Sequence, residues 1–145
     1  MKYTTLVIDD SSIQRLATTV LVKNHPDLKL IGSYQNPYCG IKAVYDEKVD
    51  IVFLDVLMEH VDAFELLDNI EINAAIIMNS TWSDFAAKAF EYGIDDFLMK
   101  PMPKKRFNIA VDKIIKQIEQ RKVVPPKVYL LSEVLSTFKE ATIKK

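Results

Sequence analysis

Five short apolar runs, each followed by a stretch with helical spacing, leave this chain of 145 residues few folds to choose from. The runs are TLVID (Thr5–Asp9), LKLIGSY (Leu28–Tyr34), IVFLD (Ile51–Asp55), AAIIMNS (Ala74–Ser80) and DFLMK (Asp96–Lys100). Between them apolar residues recur three and four apart, as in Ile13, Leu16, Ala17, Val20 and Leu21, and after the last run in Phe107, Ala110, Val111, Ile114 and Ile118. Punctuation agrees: Asn36-Pro37 offers an N-cap and a first-turn proline, Asp62 with Glu65 a capping-box pattern, and Gly93 a helix stop. Strands this apolar belong in a parallel sheet covered on both faces. Right-handed crossovers then predict an α/β fold with a doubly wound five-stranded parallel sheet.

In such sheets ligands bind beyond the carboxyl ends of the strands, where strand order reverses. Strand one ends in Asp9-Asp10, strand three in Asp55, strand four in Ser80-Thr81 and strand five in Lys100-Pro101. Asp55 is the most pointed of these, because an ionised carboxylate costs several kcal/mol to bury unpaired. Either it caps loop N–H groups, or it is a reactive group held beside a cation. With the order 2-1-3-4-5, strands one and three lie about 4.8 Å apart and bring the three carboxylates together. Three like charges that close raise one another's pKa unless a cation is present. Mg²⁺ suits carboxylates plus a backbone carbonyl, whereas no His/Cys spacing suggests zinc. Lys100 adds a fixed positive charge and Ser80 a hydroxyl donor. The set suits a phosphoryl group whose phosphorus a carboxylate can attack.

Composition limits the rest. At 49% hydrophobic and 27% charged, the chain reads as one soluble globular domain. The single cysteine, Cys39, excludes an internal disulfide, and Asp9 and Asp10 interrupt the N-terminal apolar run before it could serve as a signal peptide. No run approaches transmembrane length, so a cytoplasmic location without a membrane partner is expected. Residues 101–145 carry a net charge of +7 within an overall −1, but their basic side chains are spread out, which gives nucleic-acid binding little support.

Asp9-Asp10, Asp55, Ser80 and Lys100-Pro101, in this order and spacing, resemble the response regulator receiver domain, the CheY-like module of two-component signalling with a flavodoxin-like fold. The resemblance covers roughly residues 3–120, and DFAAKAFEYGIDDFLMKP (Asp84–Pro101) is most similar to receivers of the LytR/AgrA class. Those usually precede a DNA-binding domain, which the residues after Ile118 are too few to hold. The resemblance implies that Asp55 accepts a phosphoryl group from a sensor histidine kinase or phosphotransfer protein. It also implies Mg²⁺ held by Asp10 directly, by Asp9 mainly through water, by Asp55 and by the carbonyl of Leu57. Ser80 and Lys100 would hold the phosphoryl oxygens, Phe97 would turn inward when Ser80 moves, and the bond to Pro101 would be cis. Output would pass to a downstream effector protein, a missing DNA-binding domain or a homodimer contact.

Departures from the pattern fall in the loop after the acceptor, where Met58-Glu59 replaces Met-Pro and Asp62-Ala63 replaces Asp-Gly or Asn-Gly, and at Thr81, where a small residue is usual. The resemblance also places Leu57 and Trp82, two residues after the acceptor and two after Ser80, beside the path of hydrolytic water. Neither side chain can orient a water as an Asn or Glu would.

Plainer readings exist for each residue alone. Asp9 or Asp10 would cap the helix starting near Ser11, Ser80 would be a loop hydroxyl, and Lys100 a snorkelling surface lysine. His60 reads as a solvated loop residue, His25 as a helix-end residue, and Met58, Met78, Met99 and Met102 as core or rim filling. Two rivals come from other classes. A pseudo-receiver would act only as an interaction module. A dehalogenase-like aspartyl-phosphate phosphohydrolase would want an acid at Leu57. Turnover is not expected, so the chain reads as a signalling module and not an enzyme. The expected division is a receiver at 1–122 and, beginning with VVPPK, a linker and helical tail at 123–145, whose apolar Val128, Leu131, Val134, Leu135 and Phe138 recur at helical spacing.

Overall fold

The structure, a computed structural model, describes residues 2–123. Strands and helices alternate as β1 (Tyr3–Ile8), α1 (Ser12–Asn24), β2 (Leu28–Tyr34), α2 (Pro37–Asp46), β3 (Ile51–Asp55), α3 (Ala63–Asn69), β4 (Ala75–Ser80), α4 (Ala86–Glu91), β5 (Asp96–Met99) and α5 (Lys104–Val123), with a single 3₁₀ turn at Ser83–Phe85 before α4. All strand pairs are parallel, in the order β2-β1-β3-β4-β5. This is the doubly wound sheet expected from the pattern, and β1 and β3, where the order reverses, are neighbours. β1 ends at Ile8, so Asp9 and Asp10 both lie just past the strand.

The caps explain where the helices begin. Asn36 Oδ1 accepts the N–H groups of Tyr38 and Cys39 ahead of Pro37 at the first helical position. Asp62 Oδ1 accepts the Glu65 N–H at 2.8 Å. All five residues of β3 are buried. One face of the sheet packs Leu6, Ile8, Leu54, Met78 and Phe97 into a core with Phe64 and Ala89. On the other face Phe53 stacks on Phe107 of α5 with ring centroids 5.2 Å apart.

The periodicity of α1 misleads as to its orientation. The helix forms as expected, but Thr18, Thr19 and Val22 are its buried residues, while Ile13, Leu16 and Val20 are 81%, 64% and 46% exposed. The threonines can be buried because their hydroxyls donate to helix carbonyls, Thr18 to Gln14 and Thr19 to Leu16. The apolar stripe is left facing outward.

The close seat of α2 on β1 depends on Gly40. A Cβ there would lie 2.6 Å from both Cγ1 and Cδ1 of the fully buried Ile8. Gly40→Ala should therefore destabilise the fold by roughly 1–3 kcal/mol in spite of alanine's better helix propensity. A urea midpoint at or above wild type would show that α2 can lift without cost.

The compact unit that carries the strand ends is Met1–Asp112, and the remainder of α5 belongs to a second unit. The helical tail expected over 125–145 lies outside the described residues, as does nearly all of the 123–145 segment. No described helix is long and apolar enough to cross a membrane.

Candidate functional site

Lys100, one residue past β5, is the hub. Its ammonium lies 2.6 Å from Asp9 Oδ2, 2.7 Å from Gln14 Oε1 and 3.0 Å from Asp55 Oδ1, so all three N–H donors are engaged. The side chains of Lys100, Asp9 and Asp55 are 6%, 0% and 8% exposed. This is a buried charge cluster, and the lysine does not snorkel to the surface. Asp9 also fills the plainer role, because its Oδ1 accepts the Ser11 N–H at 2.9 Å while Ser11 caps α1. Lys100-Pro101 is a cis peptide bond.

One carboxylate oxygen from each of Asp9, Asp10 and Asp55 lies within 4.8 Å of the others. An oxygen-only donor set of this charge fits a hard divalent cation such as Mg²⁺. The second cluster of this kind among the described residues, His25 with Asp27 and Asp112, does not. His25 Nδ1 accepts the Asp27 N–H at 3.1 Å, so Nε2 holds the ring proton facing Asp112, 3.3 Å away, and has no lone pair for a metal. His25 is the C-cap of α1, a helix-end residue as expected.

Asp55 pays for its position. Burial pushes its carboxyl up to about 7; Lys100 pulls it down, and the charges of Asp9 and Asp10 push it up again. A carboxyl raised on folding favours the folded state fully below its unfolded value near 4, and that contribution is lost as pH rises through about 7. Asn mimics the protonated form. With divalent ions chelated, Asp55→Asn should raise unfolding free energy by on the order of 2–4 kcal/mol at pH 8 and leave it nearly unchanged at pH 4. Equal effects at both pH values in urea titrations would rule out a raised Asp55.

Ser80 is buried at the end of β4, and its Oγ accepts the Trp82 N–H at 3.0 Å, which leaves the hydroxyl proton to donate elsewhere. Leu57 and Trp82 are 46% and 58% exposed. Phe97 is already inside, among the core residues of β5. Met58 and Met78 are buried, Met102 is half-buried and Met99 is exposed. His60 is exposed and borders a cleft of about 430 Å³ with Asp10, Tyr38, Met58 and Glu59.

Three features were not foreseen. Glu59 donates its backbone N–H to Asp10 Oδ2 at 2.8 Å, a bond that proline at this position could not make. Gln14 touches Lys100 from α1. Asn79 is buried in register with Asp55, and among the described residues its Oδ1 is the one buried side-chain atom without a hydrogen-bond partner. Asn79 was legible in principle, since a polar residue inside AAIIMNS raises the same question as Asp55 inside IVFLD.

A parallel α/β sheet with acids at its reversal point, and a lysine facing them from the last strand, defines the receiver class of signalling domains. The chain belongs to the response regulator receiver domain family, whose sequence model matches residues 5–112. It is 32% identical over 119 residues to an uncharacterized response regulatory protein of Vibrio parahaemolyticus, covering 81% of this chain and 49% of that one. It is 27% identical over 111 residues to the transcriptional regulatory protein BtsR of Salmonella typhi, covering 75% of this chain and 46% of that one. The chain thus spans about half the length of these relatives. In fold it is similar to the response regulatory domain of mrkE from Klebsiella pneumoniae, with a TM-score of 0.72 and 23% identity over 81% of this chain and 98% of that one. Domains of this family serve two-component systems, are typically non-enzymatic signalling modules, and bind Mg²⁺ at an acidic pocket.

Proposed function

We propose that Asp55 is the phosphoacceptor of a two-component signalling switch. The observation that carries this reading is the buried Lys100 bridging Asp9 and Asp55 beside Asp10. In the transfer, a carboxylate oxygen of Asp55 forms a bond to phosphorus as the N–P bond of a donor phosphohistidine breaks, and the freed imidazole keeps the electron pair of that bond. Asp9, Asp10, Asp55 and the Leu57 carbonyl would hold Mg²⁺, which supplies positive charge to the phosphoryl oxygens when bound. Lys100 balances the carboxylates beforehand and then offers its N–H groups to the phosphoryl group. Ser80, whose Oγ already accepts from Trp82, donates its free proton to a phosphoryl oxygen.

The donor's approach side is marked by the outward stripe of α1. Ile13, Ala17 and Leu21 line a groove of about 300 Å³ that runs to Lys100, Pro101 and Met102, so a helix bearing the phosphohistidine can dock there within reach of the site. This occupant fits a sensor kinase or phosphotransfer protein in the cytoplasm. Ser80 would relay the change, past a Phe97 that is already packed inside, to an effector protein, a DNA-binding domain or a second copy. The test is incubation with acetyl phosphate, with and without Mg²⁺, followed by mass spectrometry. A single phosphoryl group, gained only with Mg²⁺ and mapped to Asp55, is expected; labelling elsewhere or none sinks the reading.

A further inference from the structure

The one neutral partner of Lys100 is Gln14, and we propose that Gln14 is a positioning residue that keeps the ammonium in the site while its charged partners change. This rests on the phosphoacceptor reading above. Asp9 and Asp55 hold the lysine by charge, and both contacts are rearranged during the proposed reaction. A cation at the acidic cluster would draw on the carboxylate of Asp9, and phosphorylation moves negative charge from the Asp55 oxygens onto the phosphoryl oxygens. The amide oxygen of Gln14 is unaffected by either event. It is therefore the contact that persists.

Local structure fixes this amide. Gln14 lies in the first turn of α1, where its N–H is bound to the Ser11 cap at 3.3 Å and its carbonyl accepts the Thr18 hydroxyl at 3.1 Å. Its side chain is half-buried and its Oε1 stands 2.7 Å from the ammonium, closer than Asp55 Oδ1 at 3.0 Å. On its α1 side the lysine would otherwise face the apolar lining of the groove formed by Ile13, Ala17 and Leu21. Without Oε1, one N–H of a 6%-exposed ammonium loses its acceptor, and the charge is drawn fully onto Asp9 and Asp55, away from an incoming phosphoryl group.

Gln14→Leu is the test, since leucine suits both the helix and the groove, and Gln14→Met repeats it should leucine disturb folding. At saturating acetyl phosphate and Mg²⁺, the phosphorylation rate constant should fall roughly tenfold, the loss of one hydrogen bond to a charged group. In a Lys100→Ala background the same change should alter the rate less than about twofold, because the two residues act as a unit. In the metal-free protein the ¹H–¹⁵N signal of the Lys100 ammonium should broaden or vanish in Gln14→Leu. A wild-type rate in the single variant, an equal slowing in both backgrounds, or an unchanged ammonium signal would each overturn the tether. A wild-type chain that takes no phosphate would overturn the phosphoacceptor reading instead, and the ammonium signal would still decide the role of Gln14.

Discussion

Asp55→Asn should abolish phosphorylation, lowering the rate at least about 100-fold by removing the nucleophile while keeping size and shape. Loss of fold is no confounder, because the buried charge at Asp55 opposes folding at neutral pH and the amide removes that cost. Lys100→Ala separates the remaining roles. It deletes the cation that bridges Asp9 and Asp55 but no metal-binding oxygen, so Mg²⁺ should bind as well or better, with the fluorescence of Trp82, the only tryptophan, as the reporter. Phosphorylation should then no longer change partner binding. An Asp55→Asn chain labelled as strongly as wild type, or a Lys100→Ala chain that cannot bind Mg²⁺, contradicts this division of labour.

The phosphorylated state should be long-lived. Hydrolysis of the acyl phosphate needs a water aligned with phosphorus, and the side chains proposed to flank its path, Leu57 and Trp82, are apolar over most of their surface. Both are about half exposed, so they can screen the site without being locked into the core. For the same reason they can be replaced without a large cost in stability. Leu57→Asn combined with Trp82→Ser should shorten the phosphorylated lifetime by about tenfold or more, a part of the roughly 100-fold or greater effect of a fully positioned general acid or base. The measurement is decay of the labelled protein after the donor is removed. A lifetime equal to or longer than wild type would move the barrier to Thr81 or to the loop around Glu59 and Ala63.

The fold was legible because the strands announce themselves. β2 and β3 have the bounds expected of LKLIGSY and IVFLD, and β3, buried along its whole length, cannot shift register without exposing itself. The acids and the lysine were legible for the complementary reason, as polar groups at the ends of apolar strands. What could not be read depends on tertiary neighbours. Spacing shows that α1 has an apolar stripe but not which way it faces, and Thr18 and Thr19 could take the inner side only because their hydroxyls bond within the helix. Gln14 is an unremarked polar residue on that helix until Lys100 arrives from 86 residues away. The proline-to-glutamate departure pointed to the right loop, yet its structural effect is a main-chain donor, which side-chain reasoning does not count.

That donor changes how an Asp10 variant has to be interpreted. The carboxylate of Asp10 belongs to the acidic cluster and is also the peg on which the loop carrying Met58 to His60 hangs, through the Glu59 N–H. Asp10→Ala removes charge and peg together, so weaker metal binding in that variant mixes a lost ligand with a loosened wall of the adjoining cleft. Asp10→Asn keeps an oxygen for the N–H and discards only the charge. The gap between the two variants measures how far this protein has made the shape of its loop depend on a residue that the proposed metal site also claims.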